Sequence, residues 1–495
     1  MYSVPQSPTP VDLYLDRNEA ILPELLDFNQ DMLLGKELFC KYPSAVYLES
    51  LIAGQLGIDA DRVMITAGGD EAIDRACRIS LNAERNIIMP SPTFCMYEHY
   101  TKLVGGKIKY INWNEPEFPI EQYIEAIDEN TGSIVIVSPN NPTGFVAKCD
   151  HIRHIAKTAP HSLIIVDLAY EEFADVKLTS FVLEFPNCLV IRTYSKAWGL
   201  AGLRIGYAIG SSRVIQWLRK AGGPYSVSAF SSYFAGKVMH RISSTIPKYV
   251  ESIKQSRDKI YNCLVQLGAE PALSQANFVF SRFKNAEWVY QGLAGLGIKV
   301  RAFPDMPELA NALRITCPPD DQLDRLLHGL KTVMQPEAIL LDLDSILTDV
   351  GETVYKRNRL GLCEKKRLLT SKSFLSWLRS YIRLGIITER PRKDAYGLLS
   401  EFDLLDIFDT VVCMENAASK PSPESIIKVL DNLKIKCAWM IGNTPDVIQT
   451  ARMANILPLG IVPPGASAEM ASQALLKTGA GKVLNSLDEL KELLR

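Results

Sequence analysis

Residues 193–204 combine groups that could hold an anion and react beside it. The segment reads T-Y-S-K-A-W-G-L-A-G-L-R and supplies the hydroxyls of Thr193 and Ser195, the amine of Lys196 and the guanidinium of Arg204. A lysine amine can act as a nucleophile or move a proton, and arginine offers two parallel donors to an anion. Taken alone, a lysine after a strand is more often a solvated loop residue, so this segment needs support from elsewhere in the chain.

Two upstream segments place polar residues at the ends of apolar strands. Residues 138–144, S-P-N-N-P-T-G, follow one apolar run and contain Asn141, while Asp167 and Tyr170 follow another. In an open α/β sheet, the carboxyl ends of the strands line the ligand crevice. A carboxylate behind four apolar residues is costly to bury unless it meets a cation or a donor. Asp167 therefore predicts a positively charged partner, such as a protonated pyridine nitrogen.

A pair of glycines offers a second place for an anion. Gly68 and Gly69 stand with Asp70 and Glu71 directly before a helical pattern over residues 72–81. Backbone N–H groups at a helix start, uncrowded by Cβ atoms at the glycines, form a cup for a phosphate. A Gly-Gly pair by itself is more often a plain turn.

Two acids near the middle of the chain point to different chemistry. Asp342 and Asp344 follow the apolar run 339–341, so a loop after that strand can aim both carboxylates at one phosphate. Further polar residues follow in order at the ends of apolar runs or before helical patterns: Thr388, Lys420, Asn443 and Asp446.

The elements that position these residues alternate between short apolar strands and helices. Strands are predicted at residues 133–137, 163–166, 188–191 and 338–341, and their unbroken apolar runs indicate burial on both faces. This pattern predicts an α/β fold with mostly parallel sheets. A helical pattern over 321–334 stops just before a new strand, so we expect one domain over residues 1–334 and a second over 337–495.

Composition excludes several classes of protein. Lys plus Arg number 54 and Asp plus Glu 56, a net charge of −2 that gives no basic excess for nucleic acid. No apolar stretch reaches the length of a membrane span, so no membrane association is expected. The ten cysteines form no C-x-x-C pair, which is typical of reduced thiols in a cytoplasmic protein.

The motifs S-P-N-N-P-T-G, D-x-A-Y and S-K-x-x-G-L-A-G-L-R-I-G-Y occur in the order found in one enzyme family. Over about residues 10–334 the chain resembles the class I/II, fold-type I pyridoxal-phosphate aminotransferases, and most closely their histidinol-phosphate aminotransferase branch. The resemblance implies pyridoxal phosphate as cofactor, a homodimer, and a small subdomain built from about residues 1–40 and 225–334.

The same resemblance assigns roles to individual residues. Lys196 would bond covalently to the cofactor aldehyde and then move a proton as the free amine, while Asp167 would keep the ring nitrogen protonated. Asn141 and Tyr170 would donate hydrogen bonds to the phenolic oxygen, and Phe94 would stack on the ring. The implied phosphate ligands are Gly68, Gly69, Asp70, Thr193, Ser195, Arg204 and, from the partner subunit, Tyr42.

Substrate contacts are carried over in the same way. Arg314 resembles the arginine that binds the substrate carboxylate. Arg301, placed after the strand-like residues 298–300, and Asn18 match positions that histidinol-phosphate aminotransferases use, although either could be a solvated surface residue. The chain departs from that branch at residues 18–23 and 66–71, both at the mouth of the expected site, so the amino acceptor could differ.

Residues 337–495 resemble the haloacid dehalogenase superfamily of phosphatases, with little or no cap domain. The resemblance implies Asp342 as nucleophile, Asp344 as general acid/base, and Thr388 and Lys420 as ligands of the phosphoryl group. It places a candidate Mg²⁺ on Asp342, Asp344, Asn443 and Asp446. Asn443 replaces an expected acid and Val447 another, which weakens a metal site because hard cations prefer anionic oxygen.

These observations support two hypotheses. The first is a transaminase that acts on an amino acid such as glutamate and a small oxo compound, phosphorylated or not, joined to a phosphatase-like domain. The second is a pyridoxal-phosphate decarboxylase similar to threonine-phosphate decarboxylases, with a non-catalytic or regulatory C-terminal domain. Release of CO₂ without an amino acceptor would distinguish the decarboxylase.

Overall fold

A computed structural model describes residues 7–20, 37–344, 346–349 and 367–494. We refer to residues 7–334 as the N-terminal unit and to residues 338–494 as the C-terminal unit. The strands of the N-terminal unit are β1 (Leu13–Leu15), β2 (Val63–Thr66), β3 (Asn86–Ser91), β4 (Lys107–Asn112), β5 (Thr131–Val137), β6 (Leu163–Asp167), β7 (Cys188–Thr193), β8 (Gly206–Gly210), β9 (Glu270–Pro271), β10 (Phe278–Arg282), β11 (Ile298–Ala302) and β12 (Ala312–Thr316).

Its helices alternate with these strands along most of the chain, as the sequence pattern predicts. They are α1 (Glu37–Cys40), α2 (Val46–Leu56), α3 (Gly68–Ser80), α4 (Met96–Leu103), α5 (Ile120–Ala126), α6 (Cys149–Thr158), α7 (Thr179–Val182), α8 (Ser212–Lys220), α9 (Ala229–Ile242), α10 (Ile246–Gln266), α11 (Ala286–Gly295) and α12 (Asp320–Met334).

A seven-stranded sheet forms the centre of the N-terminal unit, with strand order β2-β8-β7-β6-β5-β3-β4. Strand β8 runs antiparallel to both of its neighbours, and the remaining pairs are parallel. The strands predicted at 133–137, 163–166 and 188–191 are confirmed as parts of β5, β6 and β7. Their residues are buried throughout, as expected for strands covered on both faces.

A second sheet of five strands, β1-β11-β12-β10-β9, packs with helices α10 to α12. It joins residues that are far apart in sequence, because β1 pairs in parallel with β11 and places Leu13 opposite Ile298. The segment that follows β1 is thereby brought to the edge of the large sheet.

The C-terminal unit contains a six-stranded parallel sheet of order β17-β16-β13-β18-β19-β20. Its strands are β13 (Ala338–Asp342), β14 (Thr348–Asp349), β15 (Arg367–Leu368), β16 (Arg383–Ile387), β17 (Thr410–Val412), β18 (Ala438–Gly442), β19 (Leu457–Ile461) and β20 (Lys482–Leu484). Its helices are α13 (Lys372–Tyr381), α14 (Arg392–Glu401), α15 (Glu424–Leu433), α16 (Pro445–Met453), α17 (Ala468–Thr478) and α18 (Leu490–Leu493). The expectation of little or no cap falls largely on residues 350–366, which lie outside the described residues.

The two units pack directly against each other. Trp288 of α11 meets Trp439 of β18 edge to face, with ring centroids 5.2 Å apart. Trp439 also donates a hydrogen bond of 2.7 Å from Nε1 to the carbonyl of Thr332 in α12. Because Trp439 is fully buried, this contact joins the two hydrophobic cores. In the part of the chain that the structure describes, no helix has the length and apolar character needed to span a membrane.

Candidate active site

Asp167 ends β6 as a buried carboxylate with two hydrogen-bond donors. Tyr97 Oη donates to Asp167 Oδ2 at 3.0 Å, and the backbone N–H of Ala169 donates to Oδ1 at 3.0 Å. Burial nevertheless raises the pKa of Asp167 to about 6, since these donors only partly replace water. The carboxylate is therefore suited to a cationic partner, which supports the fit of a protonated pyridine nitrogen. Tyr97 gave no signal in the sequence, because it comes from α4 and meets Asp167 only in the fold.

Lys196 follows β7 and lies in the same site. Its Nζ donates to the carbonyl of Arg17 at 3.1 Å and lies 5.7 Å from the centre of the Tyr170 ring. The positive charge of Lys196 lowers the pKa of Asp167, against the larger effect of burial. The amine and the acid therefore face a common space at the carboxyl ends of adjacent strands.

The phosphate cup differs in one detail from the prediction. The sequence pattern places Gly68 and Gly69 before a helix that starts at Ala72, whereas α3 begins at Gly68 itself. Within this first part of the helix, Glu71 accepts a hydrogen bond of 2.6 Å from the backbone N–H of Ala67, the residue before the helix. The glycines thus form the first turn, and their N–H groups lie at the positive end of the helix.

Close packing around this turn depends on a third glycine. A Cβ at Gly206 would lie 2.5 Å from the carbonyl carbon of Gly68, so only glycine allows β8 to approach the start of α3. Nearby, Arg204 has a φ of 52°, in the left-handed region that arginine seldom adopts. Strain of this kind is retained where the surrounding structure holds a residue for a purpose.

The predicted phosphate ligands meet at this cup. Arg204 donates from NH2 to Asp70 Oδ2 at 3.0 Å and from NH1 to Ser195 Oγ at 3.4 Å. The hydroxyl of Thr193 donates to Ser195 Oγ at 2.9 Å. A guanidinium, two hydroxyls and a helix start therefore converge on one position, which fits the phosphate of the cofactor.

Arg314 lies in β12 and is buried, with two contacts that orient its guanidinium. Its NH1 donates to Asn141 Oδ1 at 2.6 Å, and its NH2 donates to the carbonyl of Asp16 at 2.6 Å. Because Asn141 accepts through Oδ1, its amide NH₂ is left to donate to a ligand. Arg314, predicted to bind the substrate carboxylate, is thus hydrogen-bonded to Asn141, which is predicted to contact the cofactor.

The segment that follows β1 crosses the site. Asn18 donates from Nδ2 to Tyr170 Oη at 3.0 Å and accepts from Thr316 Oγ1 through Oδ1 at 2.9 Å. Asn18 has a φ of 55°, which asparagine tolerates better than most residues. The sequence identified Asn18, but it gave no sign that the carbonyls of Asp16 and Arg17 hold Arg314 and Lys196. Residues 21–23 of the departing segment lie outside the described residues.

The sequence pattern placed Arg301 after the strand-like residues 298–300. In the structure, Arg301 lies within that strand, β11. The strand continues to Ala302 because it pairs antiparallel with β12, where Arg301 stands directly opposite Arg314. Residues in direct register project from the same face of a sheet, so the two arginines share a face. The guanidinium of Arg301 also lies 5.8 Å from the centre of the Phe303 ring.

Two aromatic residues assigned to the cofactor lie in different surroundings. Phe94 is half-buried and packs on the hydrophobic core beside α3 and α4. Tyr42 is 80% exposed and stacks on Tyr225, with ring centroids 4.5 Å apart. Tyr42 and Tyr47 line one surface pocket, and Phe39, near them in sequence, is also exposed.

The two acids of the C-terminal unit are paired with cations. Asp342 ends β13, is buried, and accepts a hydrogen bond of 2.6 Å from Lys420 Nζ. Burial raises the pKa of Asp342, although Lys420 opposes this effect. Arg390 binds Asp344 with Nε and NH2 at 2.8 and 2.5 Å from Oδ1. Thr388 is buried beside them at the end of β16.

The arrangement does not fit the Mg²⁺ site that the sequence suggested. Lys420 and Arg390 already bind the oxygens of Asp342 and Asp344, while Asp446 is exposed in the first turn of α16. Asn443 carries no charge, and no cluster of three acidic, histidine or cysteine residues suited to a metal exists among the described residues. Arg390 was not anticipated, because its role depends on where β16 places the following loop.

Comparison with known proteins agrees with this geometry. Residues 14–330 match the model of the family "Aminotransferase class I and II", and residues 366–461 match "Haloacid dehalogenase-like hydrolase", a stretch that leaves out Asp342 and Asp344. The chain therefore belongs to the aminotransferase class I and II family, whose members use pyridoxal phosphate. Within that family it is a transaminase similar to histidinol-phosphate aminotransferases, followed by a haloacid dehalogenase-like domain.

Individual relatives support this conclusion. The histidinol-phosphate aminotransferase of Thermoanaerobacter pseudethanolicus is 32% identical over 295 residues, which are 59% of this chain and 83% of that protein. That of Ruminiclostridium cellulolyticum is 29% identical over 334 residues, 66% of this chain and 93% of that protein. The structure from Sinorhizobium meliloti, in complex with pyridoxal-5'-phosphate, has a TM-score of 0.59 at 22% identity, covering 66% of this chain and 92% of that one. A threonine-phosphate decarboxylase from Porphyromonas gingivalis shares the fold, with a TM-score of 0.57 at 18% identity, covering 65% of this chain and 99% of that one.

Proposed function

We propose that this aminotransferase transfers an amino group between glutamate, or a similar amino acid, and a small phosphorylated oxo compound of the histidinol-phosphate type. The observation that carries the proposal is the placement of Lys196 and Asp167 in one site beside Arg314, which is held by Asn141 and Asp16. Transamination on a pyridine cofactor needs an acid to pair with the ring nitrogen, an amine and a carboxylate-binding group, and Asp167, Lys196 and Arg314 are suited to these roles.

The residues divide the work as follows. Pyridoxal phosphate, when bound, supplies an aldehyde and a protonated ring that accepts electrons from the substrate Cα. Asp167 holds the proton on the ring nitrogen, and Lys196 Nζ removes and returns the proton at Cα. Asn141 and Tyr170 donate to the phenolic oxygen of the ring. Arg314 orients the substrate by its carboxylate.

Cofactor retention falls to the phosphate cup. Gly68, Gly69 and Asp70 supply the helix start, while Thr193, Ser195 and Arg204 supply hydroxyls and a cation. Phe94 lies against the ring. We assign the distal phosphate of the substrate to Arg301, because it shares a face with Arg314 and adds a second cation there.

A homodimer accords with the exposed aromatic residues Phe39, Tyr42 and Tyr47. Exposed aromatic side chains are enriched at protein interfaces. In the dimer, Tyr42 of one subunit would reach the phosphate cup of the other. The nine cysteines of the described residues are all free thiols, which supports a reducing compartment, the cytoplasm.

The direct test follows the half-reaction of the cofactor-loaded enzyme. The cofactor-loaded enzyme is mixed with single amino acids and with phosphorylated amines. The change in cofactor absorbance is recorded together with released CO₂. Transamination predicts conversion by glutamate and by a phosphorylated amine with no CO₂. Stoichiometric CO₂ without an amino acceptor would instead establish the decarboxylase. Inactivity with every phosphorylated amine, with glutamate still active, would exclude the phosphorylated acceptor alone.

For the C-terminal unit we propose a phosphatase-like domain without Mg²⁺-dependent hydrolysis. Its support is that both acids are already neutralised by Lys420 and Arg390. Incubation of the full chain with an aryl phosphate and Mg²⁺ should give no turnover above that of Asp342→Asn. Hydrolysis that this substitution abolishes would show an active phosphatase.

A further inference from the structure

A cavity of about 790 Å³ lies at the edge of the large sheet opposite the active site. Gly132 and Leu163, near the amino ends of β5 and β6, contribute to its wall, as does Asn187 just before β7. Asp167 lies at the carboxyl end of β6, about 13 Å from Leu163 along a strand of five residues. A ligand in this cavity would therefore not compete directly with the cofactor.

The lining of the cavity is positively charged. Arg78, Arg85, Arg213 and Lys220 contribute side chains, His161 adds an imidazole, and no aspartate or glutamate lines it. Arg78 is paired with Asp74, but no carboxylate among the described residues forms an ion pair with the other three cations. For a chain with a net charge of −2, this is a local excess and does not reflect overall composition.

Helix α8 lies along the cavity, which is also lined by Lys220 and Ala221 at the end of the helix, where Lys220 offsets the negative partial charge of that end. The cavity is lined by Ser211, Arg213 and Val214 at the start of this nine-residue helix, where Ser211 Oγ accepts from the N–H of Val214. A helix start carries a partial positive charge that favours an anion. The end of α3 also reaches the cavity and carries the opposite partial charge, but Arg78 lies in that last turn.

One aromatic side chain gives the cavity a flat apolar surface. Trp217 lines it, is 42% exposed, and has the guanidinium of Arg213 at 4.6 Å from its ring centroid. A large exposed indole beside a cation can stack on a planar ring while the cation meets an attached anion.

We propose that this cavity is a binding site for an aromatic phosphate monoester, such as a nucleoside monophosphate. Arg85, Arg213 and Lys220 bind the phosphate and Trp217 stacks on the ring. The volume is in the range of small-molecule sites. The proposal is independent of the reaction assigned to the active site.

The test measures binding of AMP to the cofactor-loaded full chain by equilibrium dialysis. Ribose 5-phosphate lacks the ring and adenosine lacks the charge, so we expect AMP to bind at least about tenfold more tightly than either. Arg213→Ala and Arg85→Ala should each weaken AMP binding by about fivefold or more. Trp217→Leu should weaken AMP binding by about fivefold but leave ribose 5-phosphate within about twofold.

Lys248→Ala is the matched control, because it removes an exposed cation from another surface. It should change the affinity for AMP by less than about twofold. The proposal is overturned if AMP does not saturate the protein below about 5 mM. It is also overturned if Lys248→Ala acts as strongly as Arg213→Ala, or if only Lys420→Ala removes binding. That last outcome would place the nucleotide in the C-terminal unit.

Discussion

Tyr97 donates a hydrogen bond of 3.0 Å to Asp167 although the two residues lie 70 positions apart in sequence. Asp167 ends strand β6, and the hydroxyl of Tyr97 in helix α4 fixes the position of its carboxylate. It does not fully compensate for burial, because the pKa of Asp167 still lies near 6. The ionised form of Asp167 is therefore incompletely stabilised, and a bound cationic ring can stabilise it.

The raised pKa of Asp167 predicts how the stability of the cofactor-free protein depends on pH. Since the pKa of Asp167 is raised from 3.8 to about 6, the folded state favours the protonated acid, and stability falls as pH rises between these values. Asp167→Asn should therefore be more stable than the parent above pH 6, by at most about 3 kcal/mol, with little difference near pH 4. Urea unfolding of both apoproteins across this range measures the effect. A constant difference at all pH values would contradict the assignment.

Replacement of Lys196 should remove both the covalent cofactor link and the proton carrier. Lys196→Ala is expected to purify without the visible absorbance of the bound cofactor and to lose at least about 10³-fold in kcat. Lys248→Ala, an exposed lysine elsewhere, should keep both properties. A yellow and fully active Lys196→Ala protein would disprove the role of this amine.

The two arginines of the active site should fail in different ways. Arg204→Ala removes a cation from the phosphate cup and should weaken cofactor retention by about 10- to 100-fold. Arg314→Ala should instead raise KM for the amino donor by a similar factor, with cofactor affinity little changed. Dialysis against cofactor-free buffer and steady-state kinetics separate the two effects. Arg153→Ala, on the surface of α6, serves as a control. Equal losses of cofactor in Arg204→Ala and Arg314→Ala would contradict the separate roles of the two arginines.

The ion pairs of the C-terminal unit predict indifference to Mg²⁺. Addition of millimolar Mg²⁺ should not change the melting temperature of the parent protein, because Arg390 and Lys420 hold the carboxylates. Asn443→Asp alone should change this little, whereas Asn443→Asp combined with Arg390→Ala frees Asp344 and adds an acid. We expect Mg²⁺ to stabilise the double variant by about 1 kcal/mol or more. A clear shift for the parent would refute the interpretation.

Trp439 should couple the unfolding of the two units. Trp439→Ala removes a fully buried ring and its hydrogen bond to Thr332, so we expect a loss of about 3 to 5 kcal/mol and separate unfolding transitions. Calorimetry of the full chain measures both. Trp217→Phe, at an exposed position, should stay within about 0.5 kcal/mol of the parent. A single unchanged transition for Trp439→Ala would show that the units do not depend on this contact.

The sequence predicted what depends on local pattern. Unbroken apolar runs located β5, β6, β7 and β13, and short motifs located Asp167, Lys196 and Arg314. It missed groups that act through tertiary placement, such as Tyr97, the carbonyl of Arg17 and the guanidinium of Arg390. A backbone carbonyl carries no signature of its own in residue type. The start of α3 was misplaced because glycine is a poor helix former, and the hydrogen bond from Ala67 to Glu71 at that start depends on the folded geometry.

The pairing of β1 with β11 determines when the protein can become functional during synthesis. A ribosome delivers residues 16–18 almost at once, but the strand that holds them in place includes Ile298 and arrives nearly three hundred codons later. Until then Lys196 has been made but lacks its contact with the backbone carbonyl of Arg17. The cofactor crevice therefore stays open from the synthesis of β8, which ends at Gly210, until β11, which ends at Ala302, has been made.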